Sequence, residues 1–449
     1  MRATTRTLSL LIVLLSPGCY DSSDVGILGY DHDAMKEAAA TQSLFLTEED
    51  VKMPGSIDGT NDVSNVDDHF EKRFDALPLA RSMSSEPWSD TYWPENKGGI
   101  SYRWQRHEAF GRTLAPDELA QMDPEDISKL SPAEKYDLYL GATDWPLTTR
   151  VHSETSPTEA SWTGYCHGWA PASMQFPEPA PITVTNPEGV EVRFGSSDIK
   201  ALLTYYTGQV LPTEHSLDVL PFGVYSRGVG SNCGHGRADL PQCHDVNPGS
   251  LHLMLGNLIG LRAEGFVMDV DPTYEKWNQP VFAYRSEVLS RRAPSVGAAE
   301  TAVEEVLVVS DVQWGMEIEP RWEPTVSTEH NSTEGRRLIY TVELDSSGEV
   351  VGGQWVLRTD EGEFLTMAAA WHYLIAWDQD GDGQTDLTRD EASRIIFEWF
   401  PIPDFAWTQD RAPLPSEYTP VTTYWQLIGG SLNTRRSLYG YFGKLHELL

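Results

Sequence analysis

Cys166 is the residue of this chain whose type and setting most invite chemistry. The chain has four cysteines. Cys19 follows an apolar run near the N-terminus. Cys233 and Cys243 share a loop-like segment, SNCGHGRADLPQCHD, where a disulfide is the natural reading, worth roughly 3 kcal/mol on loop-closure grounds. That leaves Cys166 over, and an odd cysteine in an exported chain is a candidate reactive thiol. It sits in Trp162-Thr-Gly-Tyr-Cys-His-Gly-Trp-Ala-Pro-Ala-Ser-Met174. Thiol acyl transfer needs the thiolate, which a helix N-terminus favours through its dipole. Pro171 lacks an N–H, so the helix is expected to start near Gly168 or Trp169, and more of the activation passes to a histidine. The competing reading is a buried structural cysteine among aromatics, for which Gly164 and Gly168 would be unusual padding.

Two other clusters carry metal-ligand residue types. In Asp378-Gln-Asp-Gly-Asp-Gly-Gln-Thr-Asp386, Asp378, Asp380, Asp382 and Asp386 fall at loop positions for calcium, with Gly383 at the sharp turn. Gln384 contributes at the seventh position. Arg389 stands where the bidentate glutamate of an EF-hand belongs, and Asp390 or Glu391 replaces it only through a longer loop. The loop predicts a structural Ca²⁺ of weak affinity; the alternative is a solvated acidic turn. The second cluster, Cys233, His235, Cys243 and His244, offers two sulfurs and two nitrogens to zinc. A disulfide competes with that reading.

Several elements must position these groups. Ser131-Pro-Ala-Glu134 is a capping box with proline at the first helical position, predicting a helix that ends at Gly141. Ile199, Leu202, Leu203 and Tyr206 share one face of a helix that stops at Gly208. Leu251 to Leu261 reads as a buried helix, and residues 265–270 as a strand. Residues 338–356 read as a hairpin about Asp-Ser-Ser-Gly. The 449 residues, 40% of them hydrophobic, suffice for a substantial core. The formal net charge of −34 argues against nucleic-acid binding. Arg2 and Arg6, the apolar run LSLLIVLL and Ser16-Pro-Gly-Cys19 read as an export signal with a lipobox-like end, Cys19 being the lipidated residue. That run is too short to span a bilayer, so any membrane attachment is through a lipid anchor, at the outer membrane or cell surface; the alternative is plain secretion. The expected division is a signal at 1–19, an acidic tether or pro-segment at 20–85, and a catalytic domain at 86–449 with a calcium-loop insertion around 357–400.

The string Trp277-Asn-Gln-Pro-Val281 is rare and arises from no repeat. It resembles the elicitor segment of the transglutaminases secreted by water moulds and their bacterial relatives. Four further segments resemble that family in order: PWSDTYWPENKGGISYRW (87–104), GYCHGWAPAS around Cys166, LDSSGEVVGGQW (344–355) and Pro403-Asp-Phe-Ala-Trp407. The resemblance implies an α+β fold, a transglutaminase/papain-like Cys-His-Asp core with helices against an antiparallel sheet, long loops and insertions. The chain order of such sites points to His252 as the base, with His235 and His244 as rivals; His167, next to the thiol in sequence, is expected to point away from it. Asp271-Pro-Thr resembles the end of the family's catalytic strand, so Asp271 is expected to orient the imidazole, with Asp269 as the alternative. The implied activity is protein-glutamine γ-glutamyl transfer to a lysine amine, on protein substrates carrying both residues. Trp162 and Trp169 are expected to wall the acyl channel. A thiol peptidase or deamidase with the same triad, or a non-catalytic calcium-binding lipoprotein, is the alternative.

Overall fold

In the computed structural model of the chain, residues 66–211, 226–230, 246–271, 275–295, 297–358 and 364–376 are described, together with Val63 and short stretches between 387 and 449. Cys19, Cys233, Cys243, His235, His244, Asp378, Asp380, Asp382, Gln384, Asp386 and Asp390 lie outside the described residues. Eight α-helices are described: α1 (Pro116–Leu119), α2 (Pro124–Ser128), α3 (Pro132–Tyr139), α4 (Pro146–Glu154), α5 (Cys166–Gln175), α6 (Ser196–Tyr205), α7 (Pro248–Met254) and α8 (Met367–Ile375). The strands are β1 (Ala80–Ser82), β2 (Ile182–Thr185), β3 (Glu191–Phe194), β4 (Ser226–Gly230), β5 (Phe266–Asp269), β6 (Asn278–Arg292), β7 (Glu304–Gly315), β8 (Thr333–Leu344), β9 (Val350–Arg358), β10 (Phe364–Thr366) and β11 (Phe405–Gln409).

Local signals produce several of these elements. At the start of α3, Ser131 Oγ accepts from Glu134 N and Glu134 Oε2 accepts from Ser131 N, so two orphan helix donors are satisfied reciprocally. Asn247 caps α7 by accepting from Gly249 N at 2.8 Å, with Pro248 at the first helical position. The β8–β9 hairpin turns on Asp345, whose carboxylate accepts from Ser347 N and Glu349 N, while Gly348 takes φ +82°.

Among the described residues, the main sheet runs β10-β9-β8-β7-β6-β5-β11-β4, and every pairing is antiparallel. The short β1 joins β6 on the same edge as β5, further along the strand. The fold is therefore mixed, with helices against an antiparallel sheet, as expected, and no barrel is closed. Alternation along β5 splits the core between two faces. Val267 and Trp407 pack with Tyr136, Tyr165, Trp169, Leu202 and Phe442. Phe266 and Met268 pack with Leu251, Trp314, Tyr340 and Trp371 on the other face. Helix α5 belongs to the first face and α7 to the second.

Residues 66–85, expected to form part of a tether, lie on the sheet. Asn257 Oδ1 accepts from Glu71 N at 2.7 Å, Lys72 O accepts from Val350 N, and β1 pairs with β6. Phe74 and Leu77 are core residues. The folded unit therefore begins well before residue 86. Among the described residues, no helix is long and apolar enough to cross a membrane.

Candidate active site

Helix α5 begins at Cys166 itself, not two or three residues later, and carries Pro171 inside it. The proline costs only the bond that its N–H would have given to the His167 carbonyl, and tertiary packing holds the rest of the helix. The thiol therefore occupies the first helical position, where backbone N–H groups lack intrahelical acceptors and the dipole favours negative charge.

Two glycines let α5 sit where it does. A Cβ on Gly168 would lie 2.2 Å from the Thr204 carbonyl oxygen and 2.9 Å from the Gly208 Cα. The helix thus crosses the end of α6 and the wider π-helical turn at Tyr206–Val210 backbone to backbone. Gly164 does the same one turn earlier: its Cβ would meet the Tyr92 carbonyl oxygen at 2.6 Å. Across that contact Tyr165 N donates to Tyr92 O at 2.6 Å and Glu95 N to Thr163 O at 2.9 Å. The glycines that were unusual padding for a structural cysteine are the close approaches that aim this one.

The partner of the thiol comes from the WNQPV string. Asn278 Nδ2 donates to Cys166 Sγ at 3.5 Å, and Sγ lies 3.5 Å from the Lys276 carbonyl oxygen. The orientation of this amide is settled by Trp407, whose Nε1–H donates to Asn278 Oδ1 at 3.0 Å. An indole nitrogen is only a donor, so the oxygen must face it and the NH₂ must face sulfur. Burial pushes the Cys166 thiol up to about 11; hydrogen bonds from the Asn278 side chain and backbone pull it down, and Glu317 and Asp269 push it up again. At neutral pH the resting thiol is therefore protonated, and attack requires a base.

Asp269 pairs with Asn278 across β5 and β6, and its Oδ1 accepts from Trp277 N at 2.8 Å. It thus pins the loop that delivers Lys276 to the sulfur. Asp271 lies beyond the end of β5, so strand alternation does not carry it to the same face; its charge acts on Arg336, which donates to the Val270 carbonyl. Of the two aspartates, Asp269 is the one beside the thiol.

His252 is not beside it. The ring is 1% exposed on α7, stacked on Phe74 at 4.9 Å, with Nδ1 3.0 Å from Tyr340 Oη. It belongs to the opposite face of the sheet from α5. Burial drives its pKa down to about 4. His252 is a neutral core histidine, as its flanking leucines would suggest. Its proton linkage has a definite sign. Below about pH 6.5 the unfolded chain takes up a proton that the folded chain refuses until about pH 4. Stability should fall across that window by up to about 3 kcal/mol and be flat above it. In melts at pH 7.5 and 5.0, a His252→Leu variant should lose less stability on acidification than the parent, and equal losses would refute the assignment.

His167 turns to Gln209, 3.3 Å away, and to the backbone of Gly164 and Gly208. Trp169, expected to wall the acyl channel, is fully buried in the core. Trp162 is half-buried. The aromatic pair placed beside the thiol is instead Tyr92 and Trp277, edge to face at 5.5 Å. Tyr92 shares an electrostatic environment with Cys166 and Glu317. Sequence reasoning missed Asn278, Trp407 and Tyr92 as site residues, although all three lie in segments singled out for their resemblance to a family.

The site is thus a cysteine at the head of a helix, laid on an antiparallel sheet and met by a donor from β6. Residues 148–371, just under half of the chain, match the transglutaminase elicitor family. The matched stretch includes Cys166, Asp269 and Asn278. Among solved structures, the chain is similar to the GP42 transglutaminase from Phytophthora sojae, with 20% identity over 78% of this chain and 89% of that one, at a TM-score of 0.48. No curated protein matches the chain.

Proposed function

We propose that the chain is an exported protein-glutamine γ-glutamyltransferase with Cys166 as its nucleophile. The observation that carries this reading is the Asn278 amide held at Cys166 Sγ by Trp407. A base takes the Cys166 proton, Sγ attacks the γ-carboxamide carbon of a protein glutamine, and the C–N bond breaks as that proton passes to the leaving nitrogen, which departs as ammonia. A lysine amine then attacks the thioester and Sγ departs. Negative charge develops twice, on sulfur before attack and on the carbonyl oxygen of the attacked carbon after it. The Asn278 NH₂ at Sγ and the backbone N–H groups of Cys166 and His167 are the donors this reading assigns to both charges. Export and the Cys19 anchor remain proposals from the N-terminal sequence, as does the Cys233–Cys243 disulfide.

The acidic loop at 378–390 supports a structural Ca²⁺, held by Asp378, Asp380, Asp382 and Asp386, with Gln384 through its backbone and Asp390 at the far end. No step of acyl transfer passes through it. Removing calcium with EGTA should lower the melting temperature and leave amine incorporation by the still-folded protein unchanged. An unchanged melting curve would dismiss the site.

The reading is tested by supplying casein as glutamine donor and a fluorescent primary amine as acceptor. Ammonia release without incorporation would make the protein a deamidase. Alanine at His235 and at His244, the cysteine-loop rivals, tests each as the base.

A further inference from the structure

Behind the nucleophile helix lies a cavity of about 490 Å³, within the range of roughly 300–1,000 Å³ usual for small-molecule sites. Acyl transfer at Cys166 makes no use of it. Pro171, Met174 and Gln175 of α5 form one wall, and strands β4, β5 and β11, the stretch from Met254 to Gly265 and the segments at 66–70 and 83–85 complete it. The lining is mixed: Met83, Met174, Met254, Leu258 and Phe266 supply an adaptable apolar part, and polar groups make up nearly as much.

Arg262 and Arg411 also line the cavity, and both are exposed. Each guanidinium lies over an aromatic face, Arg262 at 5.2 Å from the Phe70 ring centre and Arg411 at 5.3 Å from that of Phe176. Neither guanidinium has an ion pair or hydrogen bond with any described residue. The chain carries 67 acidic residues against 33 basic ones, so two arginines without a described carboxylate at one cavity call for a reason. The acidic lining residues do not supply a partner. Asp67 accepts from His69 N and lies 3.0 Å from its Nδ1, and Glu264 is exposed.

We propose that this cavity binds a small amphipathic carboxylate, its aliphatic body among the methionines and its carboxylate at Arg262 and Arg411, and that its occupancy is read at Cys166. The reading runs through Trp407, which lines the cavity and also donates Nε1–H to the Asn278 Oδ1 that orients the amide on Sγ. Displacing the indole by a few tenths of an ångström changes that amide and hence the thiol. The helix bearing Cys166 forms part of the same wall.

Dodecanoate is the probe, with dodecyltrimethylammonium as its cationic match, each added to the full chain below its micellar concentration. Calorimetry should show saturable binding of dodecanoate alone, about tenfold or more weaker in the Arg262→Gln/Arg411→Gln variant. Equal binding of the cationic chain, no saturable binding, or an unchanged affinity in that variant would overturn the site. Should the double variant melt below the parent, Arg411→Gln alone serves. Dodecanoate should also shift the rate of Cys166 alkylation by iodoacetamide about fivefold or more in the parent. Binding without that shift would overturn the link through Trp407. Neither readout uses acyl transfer, so the outcome stands apart from the proposed enzymatic function.

Discussion

Exchanging Asn278 for alanine should lower kcat/KM for amine incorporation by about 10²- to 10³-fold, the usual loss of one preorganised donor at an oxyanion. Asn278 Nδ2 is the side-chain donor on Cys166 Sγ among the described residues, and its hold on Trp407 leaves the amide no other orientation. The effect should fall on kcat, because charge at this position exists only after the thiol ionises or the carbonyl is attacked. A second readout separates chemistry from folding. The pH profile of iodoacetamide alkylation should move to higher pH in the variant, because the asparagine hydrogen bond lowers the thiol against the burial that raises it. An unmoved profile together with full activity would remove Asn278 from the site.

Gly168→Ala should be almost as damaging for a different reason. The added methyl carbon would lie 2.2 Å from the Thr204 oxygen, and both it and the Gly208 backbone beyond are rigid. The helix must move bodily, at a cost of about 3 kcal/mol or more. Because Cys166 stands two residues earlier on that helix, any displacement also carries Sγ away from Asn278. The variant should therefore unfold at lower urea and, where folded, transfer slowly. Wild-type stability would show that α5 does not cross the turn at Tyr206–Val210 as described.

What could be read in the sequence divides along a physical line. The capping box at Ser131 and the Asp345 turn are written in four or five adjacent residues, and each formed where expected; the helix read from Leu251 starts earlier, at Pro248, behind an Asn247 cap that was equally local. Cys166 was legible because cysteine counting and its glycine-rich setting are local facts too. Its partner was not, because Asn278 lies 112 residues away and reaches the thiol only through the pairing of β5 with β6. The WNQPV string marked a family, while its asparagine is the residue that meets the thiol. His252 was chosen by chain order, which says nothing about the face of a sheet; α5 and α7 cover opposite faces. Pro171 misplaced the helix start because one lost hydrogen bond was weighed above the packing of Trp169, Ala170 and Ala172 into the core.

The most direct measurement compares the full chain with its Cys166→Ala variant, using casein and a fluorescent primary amine and following both protein-bound fluorescence and free ammonia. The account predicts covalent incorporation by the parent and none by the variant, with ammonia released in step. Incorporation by both proteins, or by neither under conditions where the parent is folded, would contradict Cys166 as the nucleophile of a glutamyl transfer.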